Sequence, residues 1–222
     1  MILLHYTGMR TGQAAEDWLC AEESQVSSHY LVHEDGRVVQ IVREKDRAWH
    51  AGKSYWQGET DINSRSVGIE IVNPGHEFGY RPFPAVQIDA VIALCRGIAL
   101  RRRIRPERVL AHSDVAPGRK VDPGELFPWA RLAAAGVGHF VVPAPAGAGA
   151  GETTSATIAE ARALLGEYGY DVTDVERTGT VVAAFQRHFR PERVDGVADA
   201  STLDTLRRLI AVLRQPMAGA GP

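Results

Sequence analysis

The chain is predicted to be a mixed α/β protein, a β-sheet flanked by helices, followed by a small three-helix domain. Three observations predict this. Short apolar runs of strand period alternate with longer runs of helical period through most of the first 141 residues. Val142–Gly151 is Pro, Ala and Gly after a single Val, offers almost no side chains to pack, and reads as a linker. Beyond it only helical periodicity remains. The expected boundaries are 1–141, 142–151 and 152–222.

Ile2–Tyr6 is a short strand-like run ended by Thr7-Gly8, and Gln13–Cys20 reads as a helix. His29–His33 and Arg37–Val42 are two strand-like runs joined by Glu34-Asp35-Gly36, a hairpin signal. Ser66–Val72 alternates around Val67, Ile69 and Ile71, which sends Glu70 to the opposite side from its Ile neighbours. From Pro84 to about Arg101, Ile88, Val91, Ile92, Cys95, Ile98 and Ala99 fall at helical spacing. Val109–Ala111 is a short strand, and a last helix of this part starts near Pro128, a first-turn residue. In the tail, one helix carries Ile158, Ala161, Leu165 and Tyr168, and a second follows Thr178 with Val181, Val182, Phe185 and Phe189. A third opens at Ser201-Thr202 as N-caps and carries Leu203, Leu206, Leu209, Ile210 and Leu213.

Composition removes several classes of function. There are 25 basic and 27 acidic residues, a net charge of −2, so no basic field exists to drive nucleic-acid binding. Residues 1–151 hold 17 of each sign, so the larger part is not polarised either. No apolar run approaches the roughly 18–20 residues of a membrane-spanning helix. MILLHYTGMR has no basic segment ahead of an apolar one, so no secretory signal is visible and the cytoplasm is the expected location. The only cysteines, Cys20 and Cys95, sit in helical apolar patterns and read as two buried thiols. A multi-cysteine metal site is thereby excluded, and any transition-metal site must use His and carboxylate.

A lone His at a strand end, such as His5, is more often structural than a ligand. The segment LAHSDVAPGRKVDPGELFPW adds His112 at the end of an apolar run and Asp122 ten residues on, across a Pro- and Gly-punctuated loop. Two nitrogens and a carboxylate from two strand ends and a loop suit catalytic Zn²⁺, leaving a fourth position for water whose pKa the ion lowers toward about 7. The spacing alone is weak, because any His-rich protein offers many such triples.

The ordered segments LLHYTG, VSSHYLVHEDGRVVQIV, RAWHAG, SRSVGIEIVNPG and AHSDVAPGRKVDPG resemble the zinc-dependent N-acetylmuramoyl-L-alanine amidases of the AmpD type, relatives of the peptidoglycan recognition proteins. The likeness covers residue 1 to about 135, and AHSDVAPGRKVDPG is its most diagnostic piece. It implies that His5, His112 and Asp122 hold Zn²⁺, that Glu70 is the catalytic glutamate and that Lys120 is the catalytic lysine. The chemistry agrees. Glu70 between Ile69 and Ile71 is a misfit in a buried sheet but, facing an activated water, can accept its proton and pass it to the departing amine. Lys120 can stabilise the oxyanion formed as water attacks the amide. The implied reaction is hydrolysis of the bond between the lactyl group of N-acetylmuramic acid and L-alanine, in peptidoglycan or in an anhydro-muropeptide. The competing reading is a peptidoglycan-binding protein without catalysis.

Trp49, His50, Asn63 and Arg65 are candidate substrate contacts, since Trp stacks on sugar faces and Arg grips carboxylates. His29 and His33 share a strand face and read as structural; His76 sits in a Pro-Gly loop; His139 and His188 read as ordinary packing residues. Arg101-Arg102-Arg103-Ile104-Arg105 reads as a solvated helix end. Finally, VVAAFQRHFRPERVDGVADASTLDTL resembles the three-helix peptidoglycan-binding domain, on Ala184-Phe185-Gln186, Asp195-Gly196 and Thr202-Leu203. Phe185 reads as core, and a wall-binding tail would place the protein in the cell envelope instead.

Overall fold

The computed structural model describes residues 1–145 and 154–215. The chain runs β1 (Ile2–Tyr6), α1 (Gly12–Cys20), β2 (Tyr30–Val32), β3 (Val38–Gln40), α2 (Ile62–Arg65), β4 (Val67–Ile71) and α3 (Gly75–Phe78). It continues through α4 (Ala85–Arg102), β5 (Val109–Ala111), α5 (His112–Val115) and α6 (Trp129–Ala134) to α7 (Ser155–Tyr168), α8 (Thr178–Phe189) and α9 (Ala200–Arg214). The strands form one sheet in the order β3-β2-β4-β1-β5. β4 and β5 flank β1 in parallel, β2 is parallel to β4, and only the hairpin strand β3 is antiparallel. The hairpin turns where expected: Gly36 adopts φ +88° and donates its N–H to the His33 carbonyl.

Alternation along the strands sorts the core into two layers. Ile2, Leu4, Val32, Ile69, Ile71 and Val109 face the long helix α4, meeting Ile88, Val91, Cys95 and Ile98. Gln87, fully buried in α4, donates to the carbonyls of Val32 and Val72 and so ties β2 and β4 to the helix. Leu3 and Leu110 face the other way and join Trp56, Ile62 and Val115. That second layer does not stop at the larger part. Leu165, Tyr168 and Tyr170, Phe185 and Phe189 of α8, and Leu206 and Leu209 of α9 belong to the same cluster. The Trp56 ring meets Tyr170 edge-on at 4.9 Å and Tyr168 at 5.8 Å.

The AFQ, DG and T-L hallmarks of the tail are an internal fastening. Gln186, fully buried, accepts from the backbone N–H groups of Asp195 and Gly196 through Oε1. Its Nε2 donates to the Val197 carbonyl and the Thr202 hydroxyl, so one side chain closes the turn and docks the start of α9. Phe185 is core, as expected.

Several expectations are corrected. Ser201 and Thr202 lie inside α9; Asp199 is the N-cap, its carboxylate accepting from the Thr202 N–H at 2.8 Å. Cys20 is exposed, because α1 buries only Gly12 and Ala15 and turns its last residue to solvent; Cys95 is buried. The second hairpin strand is shorter than Arg37–Val42, and the single-turn helices α2, α3 and α5 carry no apolar period to announce them. Arg101 and Arg102 are not simply solvated: both bind Glu44, and Arg103 turns the chain at φ +52°. Residues 146–151 of the expected linker lie outside the described residues. No described helix is long and apolar enough to cross a membrane.

Candidate functional site

The register brings chemistry to one end of the sheet. His5 of β1 and Glu70 of β4 are paired residues on neighbouring parallel strands, so both side chains leave the same face near the strands' carboxyl ends. β5 ends one residue before His112, which opens α5 beside them. The loop after α5 returns Asp122, whose carbonyl accepts the Ser113 N–H at 3.0 Å. A cleft of about 530 Å³ opens over these residues.

His5, His112 and Asp122 converge. His5 Nδ1 lies 2.9 Å from His112 Nδ1 and 3.1 Å from Asp122 Oδ2, and His112 Nδ1 lies 3.0 Å from the same oxygen. All three side chains are buried. Among the described residues this is the one cluster of three or more His, Cys, Asp or Glu placed to hold a metal ion.

The proton positions follow from the outer partners. His112 Nε2–H donates to the Ala51 carbonyl at 3.0 Å, so in the neutral ring Nδ1 is a bare lone pair. Burial and the neighbouring His5 hold His50 well below its ordinary pKa, so it is neutral with one N–H. Ser66 gives its hydroxyl proton to the Ile62 carbonyl, so its oxygen accepts from His50 Nε2–H. His50 Nδ1 therefore accepts from His5 Nε2–H at 3.0 Å, and His5 Nδ1 is bare as well. Burial first, and His112 second, lower His5 to about 4, so it too is neutral. Asp122 is buried between them, its Oδ2 shared by both imidazoles. With both imidazoles neutral, two lone pairs and a carboxylate oxygen face one another at about 3 Å. Such an arrangement is repulsive unless a cation occupies the point they share.

Glu70 is different. Its Oε2 is buried without a hydrogen-bond partner, and burial, then the Asp122 charge, raises its pKa well above the usual value despite Lys120 nearby. Lys120 lines the cleft with it.

Of the four candidate substrate contacts, Trp49 and His50 border the cleft and Asn63 and Arg65 do not. Trp49 is 55% exposed, with the Arg47 guanidinium 4.2 Å over its ring. His50 serves as an orienting partner of His5. Asn63 is buried and its Oδ1 accepts from the N–H groups of His50 and Ala51, holding the loop backbone. Arg65 pairs with Glu59 at 3.4 Å. The reason is topological: α2 precedes β4, and what precedes a parallel strand lies at the end away from the site. His29 is structural, accepting from the Gly68 N–H and donating to the Asp46 carbonyl. His76 lies outside the cleft lining and faces Tyr6 and Glu125.

Sequence reasoning missed Arg119, Trp18 and Gly68. Arg119 donates to the carbonyls of Ala51 and Lys53 and clamps the loop that carries His112's acceptor. Trp18 of α1 borders the cleft and is 44% exposed. Gly68 leaves room for the His50 ring, which a Cβ would meet at 2.5–2.6 Å. A basic residue beside Lys120 and one Trp in a helix carry no periodic signal, whereas Gly in the strand SVGIEIV was a legible sign of close approach.

Residues 1–125 match the N-acetylmuramoyl-L-alanine amidase family, and residues 154–206 match a peptidoglycan binding domain family. The chain is 40% identical to the N-acetylmuramoyl-L-alanine amidase AmiD of Escherichia coli K12, over 91% of this chain and 79% of that protein. Its fold is similar to the solved complex of E. coli AmiD with anhydro-N-acetylmuramic acid-L-Ala-D-γ-Glu-L-Lys. The TM-score is 0.84 at 39% identity, covering 97% of this chain and 90% of that one. AmpDh3 of Pseudomonas aeruginosa gives a TM-score of 0.80 at 30% identity, covering 97% and 92%.

Proposed function

The chain belongs to the N-acetylmuramoyl-L-alanine amidase family and hydrolyses the amide between the N-acetylmuramic acid lactyl group and L-alanine; we propose that it does so with Zn²⁺ held by His5, His112 and Asp122. One observation carries the metal reading: two imidazole nitrogens and a carboxylate oxygen converge, buried, with 2.9–3.1 Å between them. Two imidazole nitrogens and a carboxylate oxygen are the donor set that would hold a Zn²⁺ ion and leave a position for water. When bound, zinc supplies Lewis acidity and makes water a nucleophile near neutral pH.

The chain's own residues do the rest. Glu70, whose Oε2 has no competing partner, takes the proton of the attacking water and returns it to the L-alanine nitrogen as the amide breaks. A raised pKa suits both halves of that task, since the group must gain and then lose a proton near neutrality. Lys120 presents its ammonium to the carbonyl oxygen as negative charge develops there. Trp49, stiffened on one face by Arg47, offers the other to a sugar ring. We read residues 1–141 as the catalytic domain, 142–151 as the connection and 152–222 as a peptidoglycan-binding-like helical domain. A protein that only bound peptidoglycan would have no use for a buried, unpartnered Glu70.

Incubation with intact sacculi and with anhydro-muropeptides, with and without a chelator, tests the reading by mass analysis of products. Zinc-dependent release of free stem peptide is expected from at least one substrate. Release that persists in full after chelation and dialysis overturns the metal assignment, and no release from either overturns the amidase reading.

A further inference from the structure

Asp114 lies two residues beyond His112, is 0% exposed, and is satisfied by partners from both parts of the chain. Its Oδ2 accepts the Ala111 N–H at 2.8 Å, fixing the backbone immediately before His112. The same oxygen accepts His188 Nδ1–H at 2.7 Å, and Oδ1 accepts the Tyr170 hydroxyl at 2.6 Å. His188 belongs to α8 and Tyr170 to the turn after α7, far along the chain from the site. His188 is itself held, stacked on Trp129 at 3.7 Å and on Phe189 at 3.8 Å. The Tyr170 ring is held by Trp56. The helical part also grips the loop leading to Lys120 and Asp122: Arg177 donates to the Pro117 carbonyl, and Thr180 packs where a Cβ on Gly118 would lie.

A buried carboxylate is costly unless its oxygens are paired, and an apolar contact would join two helical surfaces at less cost. What the polar contact adds is direction. We propose that His188 and Tyr170 are positioning residues: through Asp114 they hold the β5–α5 corner so that His112, and Asp122 bonded to Ser113 of the same corner, aim at their shared point. The C-terminal helices are then part of the catalytic unit, whatever they bind on their outer surface. The inference rests on the metal reading above.

The test uses the full chain and three variants. Tyr170→Phe keeps the ring against Trp56 and removes only the hydroxyl, His188→Ala removes the imidazole, and Leu206→Ala removes core from the helical part without touching the hydrogen bonds to Asp114. Zinc affinity is measured by competition with a chromophoric chelator, and ligand geometry by the visible spectrum of the Co²⁺-substituted protein. Affinity is expected to fall about tenfold in Tyr170→Phe and His188→Ala, with an altered Co²⁺ spectrum. Leu206→Ala is expected to melt earlier and keep both. If His188→Ala does not fold, Tyr170→Phe decides. Wild-type affinity and spectrum in Tyr170→Phe overturn the positioning role, as does an equal loss in Leu206→Ala. Failure of the wild-type chain to bind zinc overturns the metal reading instead.

Discussion

Glu70 combines two properties that oppose each other at the scale of one residue. In its proposed role as proton carrier it needs a free oxygen in a partly dry site, and that same oxygen is a cost to the fold. Its pKa is raised in the folded chain, so the native state binds the proton more tightly than the unfolded chain does. Native stability from this group therefore falls as pH rises past about 4.5. In the metal-free protein at pH 7, Glu70→Gln is expected to melt at a higher temperature than wild type, with the gap closing toward pH 4. The same variant is expected to keep zinc and lose about a hundredfold to ten-thousandfold in turnover. A lower Tm for metal-free Glu70→Gln at pH 7 contradicts this, and retained turnover removes Glu70 from the mechanism. Glu70 was legible in the sequence because a carboxylate between two Ile residues breaks the strand's apolar pattern. Asn63 and Arg65 suit a ligand by residue type, while their position before β4 puts them outside the cleft lining. His188 read as ordinary packing, since nothing near it in the sequence announces Asp114.

At the scale of elements, the strand register explains why the site is where it is. β4 contributes Glu70 outward and Gly68 beneath His50, two residues apart on one face. Gly68→Ala would drive a methyl into the His50 ring and disturb the acceptor that orients His5. Zinc affinity is expected to fall about tenfold, with about 1–3 kcal/mol of stability lost to overpacking; unchanged affinity by chelator competition contradicts that role. On the opposite side of the sheet, Glu44 anchors the last turn of α4. Burial pushes its carboxyl up, but hydrogen bonds from Arg101, Tyr30 and Arg102 outweigh that and hold it at about 2. A depressed pKa stabilises above the ordinary carboxylate value and is lost as pH falls from about 4.5 toward 2. The arginines are half-exposed, so the contribution is about 1 kcal/mol. Glu44→Gln is expected to cost that amount at pH 7 and nothing at pH 2, by denaturant titration at each pH; an equal loss at both contradicts it. The strands and long helices were legible because each buries a periodic face. The single-turn helices α2, α3 and α5 were not, because four residues carry no period and their conformation is set by tertiary partners such as Asp114.

Across the whole molecule, the Pro/Ala/Gly stretch suggests two independent units, yet the described helices and the sheet share one core through Trp56, Tyr168, Tyr170 and Phe185. Composition can show where side chains are missing from a connection, but cannot show whether the surfaces on either side meet. A shared core predicts one cooperative unfolding transition by calorimetry; two resolved transitions contradict it. The candidate site is also a property of the whole chain, since His5, His112 and Asp122 come from a first strand, a corner and a loop far apart in sequence. The most direct test of their role is calorimetric titration of metal-free wild type and His112→Ala with Zn²⁺, with folding verified by circular dichroism. Wild type is expected to bind one ion per chain tightly and folded His112→Ala to lose that binding, whereas unchanged stoichiometry and affinity in His112→Ala would contradict the metal centre described for this fold.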